Sequence, residues 1–506
     1  MKAAESGDPL GQPVDSFFRA SKKKPVSSAR HFVRGLAWIG TLRWTGQIIS
    51  WAATLMIMRL LSPEDYGLFG MAIVFVSVAQ MFSEFGIGST VIAMQGLEPE
   101  EEAQLHTASA LLGGIAFLAT LAAAYPISLY YKEPRVVALV VVLGVPLFLN
   151  SVTAVPLARV TKALDYAGMA IVDLLRSIMG ALISLAIALA GAGVWALVGG
   201  QIAAALAATA FLLVRSPTPF RPPQISRIKN PLKYSREILV DRVAWMIYSG
   251  MPAIIGGRLL GPEGLGVYVF AFTLASMPGE KLVNIITSVA TPLLARAQND
   301  AEQLRSLLAK LVEGIAVVTW PLLVGLALVS SLLIEVVFGE RWRNAEAGLE
   351  ILSLYFIIRV VMTPFSQVFL VARQARRNRQ LSVLGALVLP PAFFVGAHLA
   401  GPTGLAFAWW VAVPIFLAPS LVLLKRLVGF GPSQFVRALS RSAFCTVLMA
   451  TAVILSMSLV KGPGGLRLAY AVTAGAIVYL AAIFCVKGSE MRRLLAEYRK
   501  AHTRNA

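Results

Sequence analysis

Apolar runs about 20 residues long or longer recur along this chain from residue 35 to residue 486, separated only by short polar breaks. A helix needs roughly 20 apolar residues to cross the hydrocarbon core of a bilayer, so runs of this length settle the fold class before any other feature. Composition agrees. The 506 residues are 57% hydrophobic and only 14% charged, with a mean hydropathy of +0.73, whereas soluble domains carry roughly 25% charged residues. The runs predict an all-α polytopic membrane protein with about 14 transmembrane helices, at 35–61, 66–95, 105–131, 135–157, 166–190, 193–214, 237–260, 265–293, 311–338, 347–371, 380–400, 403–424, 441–460 and 466–486. The first run is too long for a signal-peptide core and no small-residue cleavage site follows it, so it is expected to remain as a span.

One stretch occurs twice. Arg59-Leu60-Leu61-Ser62-Pro63-Glu64-Asp65-Tyr66-Gly67 returns, 199 positions later, as Arg258-Leu259-Leu260-Gly261-Pro262-Glu263-Gly264-Leu265-Gly266. The same shift carries Arg43 onto Arg242, Ile48 onto Ile247 and Ser50 onto Ser249, which makes nine identities in 25 positions. That exceeds what unrelated apolar helices share, and it implies an internal duplication. Pro-Glu-x-x-Gly suits a tight turn that starts a helix: proline fits the first helical position and an acid there complements the helix dipole. Six expected spans precede the polar segment 216–236. The second copy therefore enters the membrane in the same sense as the first, as a parallel repeat. The expected organisation is a basic tail at 1–34, a six-helix lobe at 35–215, a linker at 216–236, a second six-helix lobe at 237–425, two further spans within 426–487 and a basic tail at 488–506.

The net charge of +19 is a matter of topology rather than of nucleic-acid binding. With the spans assigned, 32 lysines and arginines fall on the side of the termini and 8 on the other, a bias that places both termini in the cytoplasm. Glu98, Glu100, Glu101 and Glu102 sit in a loop on the basic side, but acids weigh little in this rule. Cys445 and Cys485 lie in late apolar runs and read as small buried hydrophobes rather than as a disulfide framework.

Five cations remain inside expected spans: Arg43, Arg176, Arg242, Lys281 and Arg359. Glu84, Asp173, Asp241 and Glu280 accompany them. A charge at the bilayer centre costs about 2.5–3.5 kcal/mol on insertion scales, so each needs a partner or a watery cavity. Polar neighbours recur at helical spacing: Arg43, Gln47, Ser50 and Thr54 in the first span; Asp173, Arg176 or Ser177, Gly180 and Ser184 in the fifth; Arg359, Thr363 and Gln367 in the tenth. Buried ion pairs that merely hold helices together would account for some of these, Asp173 with Arg176 above all. The excess of cations and the repeat-related pair Arg43 and Arg242 point instead to an anion receptor, because guanidinium binds phosphate in bidentate fashion. Glu84 could carry a coupling proton or sodium ion, or pair with Arg43.

No phosphate-cradling GxxxxGK[ST] loop occurs, and His31, His106, His398 and His502 are scattered without metal spacing. No cofactor is expected, and the available chemistry is binding and movement rather than bond making.

The basic tail, the fourteen runs and the Arg-Leu-Leu-Ser-Pro-Glu-Asp-Tyr-Gly turn followed by Phe-Ser-Glu-Phe-Gly-Ile-Gly resemble bacterial polysaccharide flippases of O-antigen and exopolysaccharide pathways. These belong to the multidrug/oligosaccharidyl-lipid/polysaccharide exporter superfamily. The resemblance implies two six-helix lobes in a V and two C-terminal helices flanking a lipid groove. It also implies transfer of an undecaprenyl-pyrophosphate-linked oligosaccharide across the bacterial inner membrane by alternating access, with proton or sodium coupling. The polysaccharide polymerase machinery is a further expected partner. An ion-coupled multidrug exporter and a polytopic polymerase or glycosyltransferase are the alternatives. The first would favour an acidic cavity, and the second a large extramembrane loop or carboxylate-rich catalytic loop.

Overall fold

The computed structural model describes residues 50–503 except Phe85, Gln95, Asn299 and Arg373; the side chains of Glu84, 225–245, Ile247, 280–289, 291–292, 375–376, 378 and 487–503 are outside the description. Every regular element among the described residues is helical. In chain order these are α1 at 50–60, then α2 (Pro63–Glu84), α3 (Ile87–Ala93), α4 (Pro99–Tyr131), α5 (Val136–Lys162), α6 (Tyr166–Leu189), α7 (Trp195–Arg215) and α8 (Ile225–Arg296). There follow α9 (Ala301–Leu328), a short irregular passage through Ala345, α10 (Glu346–Val361), α11 (Thr363–Val371), α12 (Ala375–Phe407), α13 (Ala412–Val428), α14 (Pro432–Leu459) and α15 (Gly464–Thr503).

Among the described residues, eleven helical segments are long and apolar enough to cross a membrane. Two of them are hairpins. Within α8, Gly261 takes φ 70° and ψ −175°, and a β-carbon built on Gly256 would lie 3.3 Å from Leu265. Nine residues apart on a straight helix would be about 13 Å, so the chain turns back at Gly261. Likewise α12 breaks at Ala400 and Gly401, which brings Gly396 and Gly404 backbone to backbone. Among the described residues the arrangement is broadly consistent with the expected fourteen crossings; most of the first expected span, 35–61, lies outside them. The protein is a multi-pass membrane protein, and its outer surface is apolar as lipid requires: Val214, Leu399 and Leu459 are exposed by 84%, 76% and 76%.

The two copies of the duplicated turn are built differently. In the first, Ser62 and Asp65 cap each other, with Ser62 N donating to Asp65 Oδ2 at 2.9 Å and Asp65 N donating to Ser62 Oγ at 3.2 Å, and Pro63 opens α2. In the second, glycines replace both capping residues, and Gly261 supplies the turn through its positive φ.

Caps also shift some boundaries away from the apolar runs. Asp300 accepts from Glu302 N and Gln303 N at 3.0 Å each, so α9 begins at Ala301; it ends at Leu328, so the helix differs from the expected 311–338 at both ends. Glu98 N donates to Glu101 Oε2 at 2.9 Å, so the acids expected in a loop form the first turn of α4.

One core runs through both repeats, from Met58, Leu61 and Met71 to Phe270, Trp342 and Trp409. A separate cluster, including Val329, Cys445, Met449, Val453 and Tyr479, binds α14 and α15 to α9. Cys445 is buried as expected; Cys485 is exposed, against the expectation of burial, and both are free thiols.

Candidate functional site

Of the charged residues singled out in the spans, Arg176, Asp173 and Arg359 have described side chains. Arg176 is half-buried on α6. It borders a cavity of about 330 Å³ that also holds Ser50 and Thr54 of α1, Ser177, Gly180 and Ser184 of α6, and Gln201 of α7. Ser50 and Thr54 of the first expected stripe therefore face Arg176, Ser177, Gly180 and Ser184 of the fifth across one space, while Arg43 and Gln47 lie outside the described residues. They can approach because α6 and α7 touch through small residues: a β-carbon on Gly180 would lie 3.3 Å from Ala204, and one on Gly200 would strike Ser184. Arg176 also borders a second cavity of about 260 Å³, with Gln80, Ser89, Asn150 and Thr153. One guanidinium thus borders two cavities with polar linings. Asp173, one turn earlier on α6, is exposed.

Arg359 is also half-buried, in a different cavity. This space of about 440 Å³ lies between α8, α10, α11, α12 and α13 and includes Tyr248, Tyr355, Thr363, Ser382, Phe416 and Ser420. Arg359 Nη1 donates to Tyr355 Oη at 3.2 Å. Its guanidinium lies 5.4 Å from the Trp409 ring centroid and 5.7 Å from that of Phe356, a cation–π arrangement.

Among the described residues, Arg176 and Arg359 border different cavities. Glu84 is the last residue of α2, Asp241 and Arg242 lie in the first arm of α8, and Glu280 and Lys281 lie in its second arm; their side chains are outside the description, and Arg43 lies outside the described residues altogether. The expected meeting of Arg43 and Arg242 therefore falls on undescribed positions.

The turns themselves form the contact between the repeats. A β-carbon on Gly67 would collide with the Pro262 carbonyl, and one on Gly266 with the Pro63 carbonyl. The contact is reciprocal, as a pseudo-twofold relation demands, and only glycine permits it. Around it, Tyr131 Oη donates to Ala253 O at 3.4 Å and Tyr130 Oη donates to Ile254 O at 3.3 Å. Trp342 packs edge-on against Tyr66, with centroids 5.5 Å apart, and stacks on Phe270 at 4.1 Å. At the rim, beyond the spans, Arg135 bridges Glu133 at 2.7 Å and Glu64 at 2.5 Å. The hydrogen bonds from Arg135 hold the Glu133 carboxyl below the usual carboxylate range, and the same bonds raise Arg135. The glycines of this seam were visible in the repeat. Trp342, Trp409 and the tyrosines carried no signal of their own, since aromatic residues in apolar runs look alike.

The sequence profile of the polysaccharide biosynthesis protein family matches residues 56–347. The lipopolysaccharide biosynthesis protein WzxC of Escherichia coli K12 is 22% identical over 392 residues, covering 76% of this chain and 79% of that protein. The succinoglycan biosynthesis transport protein ExoT of Rhizobium meliloti is 24% identical over 346 residues, covering 68% and 69%. Among solved structures, the lipid II flippase MurJ in an inward closed conformation superposes with a TM-score of 0.71 at 12% identity, covering 90% of this chain and all of that one; it shares the fold. The matched region runs through both copies of the turn and the seam they form, and the chain belongs to the polysaccharide biosynthesis protein family.

Proposed function

We propose that this protein is a transporter, not an enzyme, that flips undecaprenyl-pyrophosphate-linked oligosaccharide units from the cytoplasmic to the periplasmic leaflet for surface polysaccharide assembly. The observation that carries the reading is Arg176, a cation held midway along an apolar helix at the junction of two polar cavities. A pyrophosphate head cannot enter hydrocarbon unaided, and cationic cavities offset its desolvation. The names of WzxC and ExoT, one a lipopolysaccharide biosynthesis protein and the other a succinoglycan biosynthesis transport protein, support the class of cargo.

In this reading the lobes are 35–215 and 237–425, joined by the linker 216–236, with the spans within 426–487 appended and the tails 1–34 and 488–506 in the cytoplasm. The membrane is the bacterial inner membrane. Arg43, Arg242, Arg176, Lys281 and Arg359 supply cavity cations, and Glu84, Asp173, Asp241 and Glu280 supply counter-charge or carry a coupling proton or sodium ion. The prenyl tail stays in lipid, with the apolar groove between α9, α14 and α15 beside it, a cavity of about 660 Å³ lined by Leu322, Gly325, Met449, Val453, Ala471 and Gly475 among others. Polysaccharide polymerase machinery receives the product.

Flipping of a lipid-linked oligosaccharide in proteoliposomes tests this. Arg43→Ala, Arg176→Ala and Arg242→Ala are each expected to cut the rate by about tenfold or more, the loss of one charge-assisted contact. Undiminished flipping in all three would falsify the cationic-cavity mechanism.

A further inference from the structure

We infer that residues 216–224 form a strap fixed to α4 and α5 of the first lobe, so that movement between the lobes pivots at Gln224–Ile225 and passes directly to α8. The inference rests on the reading of the chain as a two-lobed alternating-access transporter and adds the place where its lobes are hinged.

The segment is stiff before it touches anything. Pro217, Pro219, Pro222 and Pro223 each fix φ and hold the residue before them extended, and proline-rich chains act as semi-rigid spacers rather than as loose tethers. It is then anchored along its length. Near its start, Arg159 Nη1 of α5 donates to Pro217 O and to Thr218 Oγ1, each at 3.2 Å. Glu102 steadies that arginine, with its carboxylate 3.4 Å from Arg159 Nε and 3.5 Å from Lys162 Nζ. In the middle, Phe220 stacks on the His106 ring of α4, with centroids 4.3 Å apart and planes at 24°. Toward its end, Arg221 N donates to Thr107 Oγ1 at 2.8 Å and Gln224 N donates to Gln104 Oε1 at 3.2 Å. The middle anchor has a local cause. Pro156 inside α5 has no N–H, so Val152 O loses its helical partner. His106 Nε2 donates to that carbonyl at 3.0 Å, and the fully buried imidazole becomes a fixed platform for Phe220.

Contacts at Pro217, Thr218, Phe220, Arg221 and Gln224 leave no slack within the segment. The helix α8 begins at the next residue, Ile225. A connection pinned from end to end cannot absorb a rotation of the lobe that carries it. The dihedrals free to change are those of the junction, where Gln224, extended at φ −97° and ψ 104°, meets the first turn of α8. Hinges commonly sit at such element ends. Rotation of the first lobe thus displaces the start of α8 instead of being lost in a flexible loop.

A Gly-Ser-Gly-Ser insertion places slack on either side of the strap. Between Arg215 and Ser216 it lies ahead of the anchors, and flipping of a lipid-linked oligosaccharide in proteoliposomes should stay within about twofold of the wild type. Between Gln224 and Ile225 it lies behind them and should cut the rate by about tenfold or more. Equal rates for the two insertions, or a greater loss from the first, would overturn the inference. Amide hydrogen exchange of the full-length protein in lipid nanodiscs gives a readout that needs no transport. The Arg221 and Gln224 amides should exchange slowly. Phe220→Ala should speed both by about tenfold, and Phe220→Tyr, which keeps the stacked ring, should leave them slow. Exchange in the wild type at the rate of an unstructured peptide, or exchange indifferent to loss of the ring, would equally overturn it. A wild-type chain that flips nothing, yet whose amides are slow and respond to Phe220→Ala, would defeat the flippase reading and leave the fixed strap standing.

Discussion

Gly67 and Gly266 show how single residues set what the two repeats can do. Each leaves room for the other repeat's proline carbonyl, and any β-carbon there meets backbone rather than a yielding side chain. Gly67→Val is therefore expected to cost the closed contact about 1–3 kcal/mol, the usual range for overpacking. Spin labels on cysteines replacing Glu64 and Glu263, both exposed beside the seam, would report a longer distance population in the variant; an unchanged distance distribution would contradict the steric account. The rim cluster makes a pH-dependent prediction. Because the folded protein holds Glu133 below its ordinary range, the cluster's contribution is present at neutral pH and is lost as pH falls through that lowered value. Arg135 and Glu64 are about half exposed, so the contribution is no more than about 1 kcal/mol. Melting temperatures of wild type and Arg135→Gln should differ slightly at pH 7 and converge in acid.

At the scale of elements, α14 and α15 pack on α9 through a cluster of their own and leave an apolar cavity between them. Tyr479 Oη donates to Val317 O at 2.5 Å and ties α15 to α9 on its border. Gly325 lies on that cavity, and a β-carbon there would make only ordinary contact, 3.9 Å from Met449. Gly325→Leu should thus fill the groove without unfolding the chain, leaving the melting temperature within about 4 °C. If the groove accompanies the prenyl tail, the variant should flip long-chain prenyl substrates more slowly than short-chain ones; equal slowing, or none, would remove the groove from the transport path.

For the whole molecule, the seam joins the repeats at the end of the bundle where their turns lie, and alternating access requires that end to part. A short reducible crosslinker between cysteines at Glu64 and Glu263, introduced after Cys445 and Cys485 are replaced by alanine, should abolish flipping, and reduction should restore it. Transport that continues in the crosslinked protein would mean the seam stays shut throughout the cycle.

The helices, their approximate limits and the duplication were legible in the sequence, because hydropathy over about 20 residues and turn chemistry act locally. Even the shifts at α4 and α9 came from local caps at Glu98 and Asp300 that apolar periodicity alone does not register. The stripe from Ser50 to Thr54 and that from Arg176 to Ser184 were legible for the same reason, and they do share a cavity. What no local pattern contained was the company each charge keeps. Arg359 finds Trp409, fifty positions away in the chain, and Gly67 finds Pro262. Those pairings depend on how each helix is rotated and how deeply it packs, quantities fixed by the summed fit of distant side chains. The sequence determined that this protein is a duplicated membrane bundle with cations inside it; the tertiary structure alone decided which side chains line the cavities that Arg176 and Arg359 border, because only packing brings remote segments to one place.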